Sequence, residues 1–317
     1  MRRRRLGEGG PEVGEVGIGT NNFGRRLDAA GAERVVGAAL DFGVNLFDTA
    51  DIYGDGDSER FLGQALRARR EEAVVATKFG MPMAGLEPRD RRGAPQYVRA
   101  AVEGSLSRLG LETIDLYQMH EPDPATPIAE TLGALQELVQ AGKVRWVGVS
   151  NFTAGQLREA TAAAKRLGLR ELISSQDEYS LLNRSLERDL LPAIRELGLG
   201  LLPYFPLASG LLTGKYRRGQ PPPPGSRLAR AGQTGALTDR HAFDVVDRLD
   251  RFAAERQVSL LSVAIGGLLG RPEVASVIAG AMSPEQVRAN CAAASWVASE
   301  QDWVELDRIT SAPTARA

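Results

Sequence analysis

The chain has 317 residues, 43% hydrophobic and 25% charged, enough apolar surface for a substantial core, which excludes disordered, collagen-like and disulfide-stapled classes. Its 39 basic and 40 acidic residues leave a formal charge of −1, so the basic footprint of a nucleic-acid-binding protein is missing. The single cysteine, Cys291, cannot form an intrachain disulfide, and no apolar run approaches the ~18 residues of a membrane span, so a cytoplasmic protein is expected.

Arg2 to Arg5 precede a stretch rich in glycine and glutamate where a signal peptide would be apolar, and they read as a solvated basic tip. From there β-branched runs alternate with amphipathic helical patterns. A strand is predicted at Val16 to Gly19, a helix at Ala32 to Phe42, a strand at Asn45 to Asp48 and a helix at Ser58 to Ala68. Strand Ala73 to Lys78 is followed by helix Pro95 to Leu109, strand Thr113 to Gln118 by helix Ile128 to Gln140, and strand Val144 to Ser150 by helix Ala154 to Leu167. Strand Leu172 to Gln176, helix Leu186 to Leu197, strand Gly200 to Tyr204, helix Phe243 to Gln257 and strand Val274 to Ile278 complete the series. Pro127 stands at a helix start, and Gly142, Gly168 and Gly198 stand where helices stop. Because no composition shift interrupts the β/α units, an α/β class (β/α)₈ TIM barrel is expected, one domain over residues 1–317 with a C-terminal helix. The segment Thr213 to Arg240, with Pro221 to Pro224 in a row, breaks the rhythm and reads as a long, stiff loop after strand seven, on the face where barrel active sites form.

Familiar cofactor motifs are missing. There is no Gly-x-Gly-x-x-Gly, no Walker sequence and no Gly-x-Ser-x-Gly, and the two histidines, His120 and His241, lack partners at metal-ligand spacing, so no metal is expected. Polar residues instead stand where predicted strands end. Asp48, Lys78, His120, Ser150, Asn151, Gln176 and Tyr204 would converge at one mouth of a barrel, with Tyr53 five residues beyond Asp48. Each alone reads equally well as a solvated or capping residue. Together they suggest a phenol acting as proton donor, with Lys78 depressing the Tyr53 pKa, a lowering of ~2 units corresponding to ~2.7 kcal/mol. Asp48 would then hold Lys78 and His120 would orient a substrate oxygen.

At these residues the chain resembles an aldo-keto reductase over nearly its whole length. The segments that carry the likeness are Asn45-Leu-Phe-Asp-Thr-Ala-Asp-Ile-Tyr-Gly-Asp-Gly-Asp-Ser-Glu59, Ala76-Thr-Lys-Phe79, Ile114 to Pro122, Gly142 to Phe152, Pro206 to Lys215 and Gly280 to Asn290. The resemblance implies a barrel that binds NADP(H), or NAD(H), across its C-terminal mouth, and a catalytic set of Asp48, Tyr53, Lys78 and His120. It implies cofactor contacts from Gly19, Thr20, Asn21 and Asp48, from Ser150, Asn151 and Gln176 at the carboxamide, and from Tyr204 stacked on the nicotinamide. Phe205, Pro206, Leu207, Ser209, Gly210, Lys215 and Arg227 would follow the pyrophosphate, and Ala279, Gly280, Ala281, Gln286 and Asn290 the adenosine.

The implied reaction is hydride transfer to an aldehyde or ketone, with an aldose or alcohol dehydrogenase running in the oxidative direction as the alternative. The implied partner is a small carbonyl or alcohol; nucleic acid and membrane are not expected, and the oligomeric state is open. Two departures stand out. Gly280, Ala281 and Met282 occupy positions where many relatives place a cation for the 2′-phosphate, leaving Arg288, Ser283 or Arg227 to meet it. Glu121 follows His120 where some members have tryptophan, which suits hydroxyl-rich substrates such as sugars or keto-sugars. Arg217, Arg218, Arg227 and Arg230 make the long loop a candidate cover for a polyanionic cofactor. A regulatory cofactor-binding subunit, as in potassium-channel β subunits, and a lyase forming a Schiff base at Lys78 are the competing readings. The intact four residues and the short N-terminal segment weigh against the first, and Ser150, Asn151, Gln176 and Tyr204 against the second.

Overall fold

The computed structural model describes all residues except 84, 88, 89, 171, 231–239 and 312–317. Two short strands, β1 (Arg3–Arg5) and β2 (Glu12–Gly14), pair antiparallel at the start. Eight parallel strands follow: β3 (Val16–Gly19), β4 (Leu46–Asp48), β5 (Val74–Phe79), β6 (Ile114–Met119), β7 (Val144–Ser150), β8 (Leu172–Glu178), β9 (Gly200–Tyr204) and β10 (Val277–Gly280). They order as β10-β3-β4-β5-β6-β7-β8-β9. The ends meet where Leu201 N–H donates to Glu273 O at 2.8 Å and Ala275 N–H to Leu201 O at 3.0 Å. This is the expected (β/α)₈ barrel. Around it lie α1 (Ala29–Asp41), α2 (Asp57–Leu66), α3 (Pro95–Leu109), α4 (Ile128–Gln140), α5 (Ala154–Leu167), α6 (Leu190–Glu196), α7 (Arg227–Arg230), α8 (Arg240–Glu255), α9 (Leu260–Leu269), α10 (Pro284–Ala293) and α11 (Glu300–Ser311).

Strand alternation decides what reaches the mouth. Leu46, Ala76, Leu116 and Leu202 form one interior cluster with Leu6, Val13, Ile173, Ala275 and Ile278, whereas Phe47, Val75, Tyr117 and Leu201 pack outward in the larger cluster shared with the helices. With a period of two, the inward series continues one step up each strand as Asp48, Lys78 and Gln118. Polar groups therefore crown an apolar barrel interior.

Several expectations are corrected. Arg2 to Arg5 are a solvated tip only in part: Arg2, Arg3 and Arg5 are exposed, but Arg3–Arg5 is a strand and Glu15 accepts from Arg2 Nε at 2.8 Å and Arg4 Nε at 2.9 Å while Leu6 and Val13 close the barrel floor. The helix expected over Leu186 to Leu197 splits into a 3₁₀ turn, Ser185–Glu187, and α6, because Pro192 has no N–H to donate to an earlier turn. The last strand lies at Val277–Gly280 rather than Val274 to Ile278; Val274 contributes the closing bridge to Leu201. Helix α9 is buried on nearly all sides and so has no amphipathic period to read. The described part of the long loop holds the helix Arg227–Arg230 and buried Tyr216 and Leu228, while residues 231–239 of the expected loop lie outside the described residues. Arg217 pairs with Asp250 and Arg218 with Asp244 and Asp247, so carboxylates of α8 match part of the positive charge expected of the loop.

Candidate active site

A pocket of about 630 Å³ opens at the C-terminal ends of the strands. Beneath its floor Lys78, wholly buried, donates from Nζ to Asp48 Oδ1 (2.8 Å), Asp48 Oδ2 (2.7 Å) and the Thr49 carbonyl (2.9 Å). Asp48 Oδ1 accepts further from Gln176 Nε2 at 2.8 Å and Gln118 Nε2 at 3.4 Å. Gly148 makes room for this arrangement, since a Cβ there would lie 2.4 Å from Ser174 Oγ and 2.9 Å from Gln118 Cγ. The Lys78 ammonium lies 5.3 Å from the centre of the Tyr53 ring, and the Tyr53 and His120 rings meet edge to face at 6.0 Å.

These contacts fix the protonation states. Burial pulls Lys78 down, but the Asp48 carboxylate and its hydrogen bonds outweigh it and the ammonium titrates above its ordinary value. For Tyr53 the expected depression is wrong. Burial raises its pKa, Asp48 raises it further, and the opposing Lys78 charge does not cancel them, so the phenol keeps its proton more firmly than free tyrosine. Burial, then Lys78, pushes His120 down to about 3, leaving a neutral imidazole at physiological pH. A neutral imidazole carries one N–H, and the buried Nδ1 has no hydrogen-bond partner among the described residues.

Beside the floor, Ser150 Oγ donates to Gln176 O at 2.7 Å, and Asn151 Nδ2 donates to His120 O at 2.9 Å and Ser150 Oγ at 3.0 Å. Asn151 has a positive φ of 63°, and Asp177 Oδ1 accepts its backbone N–H at 3.1 Å. Tyr204 Oη donates to Asn151 Oδ1 at 2.7 Å, and its ring meets Phe205 edge-on.

Of the residues named from sequence, Gly19, Asn21, Asp48, Tyr53, His120, Ser150, Asn151, Gln176, Tyr204, Phe205, Pro206, Leu207, Ser209, Gly210, Lys215, Gly280 and Gln286 line this one pocket. Lys78 lies behind Tyr53. Thr20 is buried, donating through Oγ1 to Asp48 O at 3.0 Å. Ala279, Ala281 and Asn290 are buried and do not line it, although Asn290 Nδ2 has no partner among the described residues. The Arg227 side chain lies outside the described residues. Arg288 is exposed on α10 and is not part of the lining. Among the residues missed are Arg26, Asn22, Met81 and Ser226 in the lining, and Gln118 and Asp177 behind it. Alternation from Leu116 could have flagged Gln118, whereas nothing local distinguishes Arg26.

The walls suit an extended ligand with phosphates. Phe205, Ala208, Ser209 and Gly210 all have positive φ, winding the backbone tightly after β9. A Cβ on Gly210 would sit 3.3 Å from Lys215 Nζ, so the missing side chain leaves space for the ammonium at the wall. Arg26, which donates to Gly225 O at 3.3 Å, brings a second cation to the lining.

A model of the Aldo/keto reductase family matches residues 15–311. This chain belongs to that family. A probable voltage-gated potassium channel subunit beta of rice is 36% identical over 299 residues, covering 92% of this chain and 90% of the relative. An uncharacterized oxidoreductase of Bacillus subtilis is 37% identical over 293 residues (89% and 88%), and a probable aldo-keto reductase of soybean 33% identical over 307 (95% and 87%). Family membership makes the chain an oxidoreductase of the carbonyl-reducing kind.

Proposed function

We propose that the protein reduces small aldehydes or ketones to alcohols with a reduced nicotinamide cofactor, NADPH in preference to NADH, and that Tyr53 gives the proton. The observation that carries this reading is the buried Asp48–Lys78–Tyr53 chain with a neutral His120 beside it at the pocket floor. The fit for the cofactor rests on the tight backbone turn at Phe205 and Ala208 to Gly210 and on the Lys215 ammonium beside Gly210 in the pocket wall. When bound, the cofactor supplies the hydride. Ser150, Asn151 and Gln176 would hold its carboxamide and Tyr204 would stack on its ring. His120 holds the carbonyl oxygen, and Tyr53 passes the proton from Oη to that oxygen as charge develops on it. Lys78 stabilises the phenolate left behind, and Asp48 keeps Lys78 charged. The same groups run alcohol oxidation in reverse.

Glu121 lines the substrate side, held by Arg92 Nη2 at 3.0 Å, and favours hydroxyl-rich carbonyls. The channel-subunit relatives suggest a second reading, a cofactor-binding regulatory subunit; the assembled proton-donor chain favours catalysis.

A panel of aldehydes, ketones and aldoses assayed with both reduced cofactors tests the proposal. Gly280, Ala281 and Met282 offer the 2′-phosphate no cation and Arg288 on α10 is the remaining candidate, so NADPH should be preferred by no more than one charge-assisted contact gives, about ten- to a hundredfold in kcat/KM. The preference should shrink as salt rises. A ratio above about a thousand, or a preference for NADH, contradicts this account of the site. No reduction of any carbonyl with either cofactor contradicts the function itself.

A further inference from the structure

Asp51 lies between Asp48 and Tyr53 on the loop after β4, and the mechanism above does not use it. It is wholly buried, its backbone N–H donates to Lys78 O at 3.3 Å, and neither carboxylate oxygen has a hydrogen-bond partner among the described residues. The Glu59 carboxylate on α2 disfavours its charged form, Arg108 on α3, the Ile52 backbone N–H and Lys78 on β5 favour it, and its own charge acts on Tyr53, Tyr97 on α3 and Tyr117 on β6.

The cations nearby are already matched. Lys78 serves Asp48, and Arg108 Nε donates to Glu59 Oε2 at 2.6 Å, while Glu59 Oε1 accepts from Thr77 Oγ1 at 2.6 Å. Two ammonium and guanidinium charges thus meet two carboxylates, and Asp51 is a third acid without a cation of its own. An unpaired carboxylate buried beside Glu59 is costly, and the low-cost state is the protonated acid.

We propose that Asp51 is a positioning residue that carries a proton in the working enzyme, and that losing this proton weakens Tyr53 as an acid and so sets the alkaline limb of the reductive pH profile. The balance is simple: the carboxyl releases one proton to solvent and the buried cluster becomes more negative by one charge. That charge opposes formation of the Tyr53 phenolate, which raises the barrier to proton donation. Burial, with Glu59 adding to it, pushes the Asp51 carboxyl up to about 7, within the range such a limb would occupy. The inference rests on Tyr53 being the proton donor.

The test is the pH dependence of kcat/KM for carbonyl reduction between pH 5.5 and 9.5. The wild-type enzyme should lose on the order of threefold to tenfold across a midpoint near neutrality. Asp51→Asn, which copies the protonated acid, should remain active at pH 6 and lose that limb. Asp177→Asn should keep it, although Asp177 is also a buried acid, pushed up to about 6. Should Asp51→Asn not fold, the wild-type midpoint decides. A carboxyl ionises with little enthalpy, so its midpoint should stay fixed on warming; a midpoint that falls steeply belongs to a phenol or nitrogen base and overturns the proposal. An unchanged limb in an active Asp51→Asn enzyme overturns it too. Failure of the underlying reading has a different signature, namely full carbonyl reduction by Tyr53→Phe.

Discussion

Tyr53→Phe is expected to cut turnover at least about a hundredfold while leaving cofactor affinity nearly unchanged, the loss typical of removing a general acid. The substitution deletes one hydroxyl and keeps the ring that meets His120 edge to face. Because the Tyr53 pKa lies above that of free tyrosine, the wild-type phenol stays protonated across pH 6 to 9. The deficit should therefore be present throughout that range, with no pH at which the variant catches up. Retention of more than about a tenth of wild-type activity would remove Tyr53 from the role of acid, since general acids contribute tenfold or more.

Lys78→Met should be as damaging to turnover, and the double variant with Tyr53→Phe little worse than either alone, because a donor and the cation that stabilises its conjugate base act as one unit. Additive losses in this cycle would refute the coupling. Stability should respond as well. Removing the ammonium strands the Asp48 carboxylate beneath the pocket, and breaking a buried pair in this way costs about 3 to 5 kcal/mol. Adding Asp48→Asn should recover part of that loss, because the amide needs no counter-charge. The sign with pH follows from the raised Lys78 pKa: the pair's contribution is complete below the ordinary 10.5 and disappears only as pH climbs through the higher folded value. The stability difference should thus not shrink between pH 6 and 9, and a difference that fades within that window would contradict the pairing.

Much of the architecture was legible because period-two and helical patterns are strong in Val74–Phe79, Ile114–Met119 and Pro95–Leu109, which fall within a residue of their expected places. The convergence of Asp48, Lys78 and Gln176 was also legible, since barrel topology brings strand ends together whatever their separation in sequence. What was not legible depends on burial and on partners distant in sequence. Arg2 and Arg4 look like a solvated tip until Glu15 is placed between them. The Tyr53 pKa is a contest between Lys78 and desolvation, and only the enclosed floor shows that desolvation prevails. Arg217 and Arg218 looked available to an anion, yet α8 brings Asp244, Asp247 and Asp250 beside them. Asp51 carried no signal of its own within a segment quoted whole, because its distinction is the cation it lacks.

The central claim is that a carbonyl carbon receives hydride from a nicotinamide in this pocket. The most direct measurement supplies NADPH carrying two deuteriums at nicotinamide C4 with an unlabelled carbonyl substrate, and reads the product alcohol by mass spectrometry. One deuterium on the carbinol carbon is the predicted result, at a level that falls with turnover in Tyr53→Phe. An alcohol formed without deuterium, or a substrate adduct trapped on Lys78 by borohydride, would contradict the account.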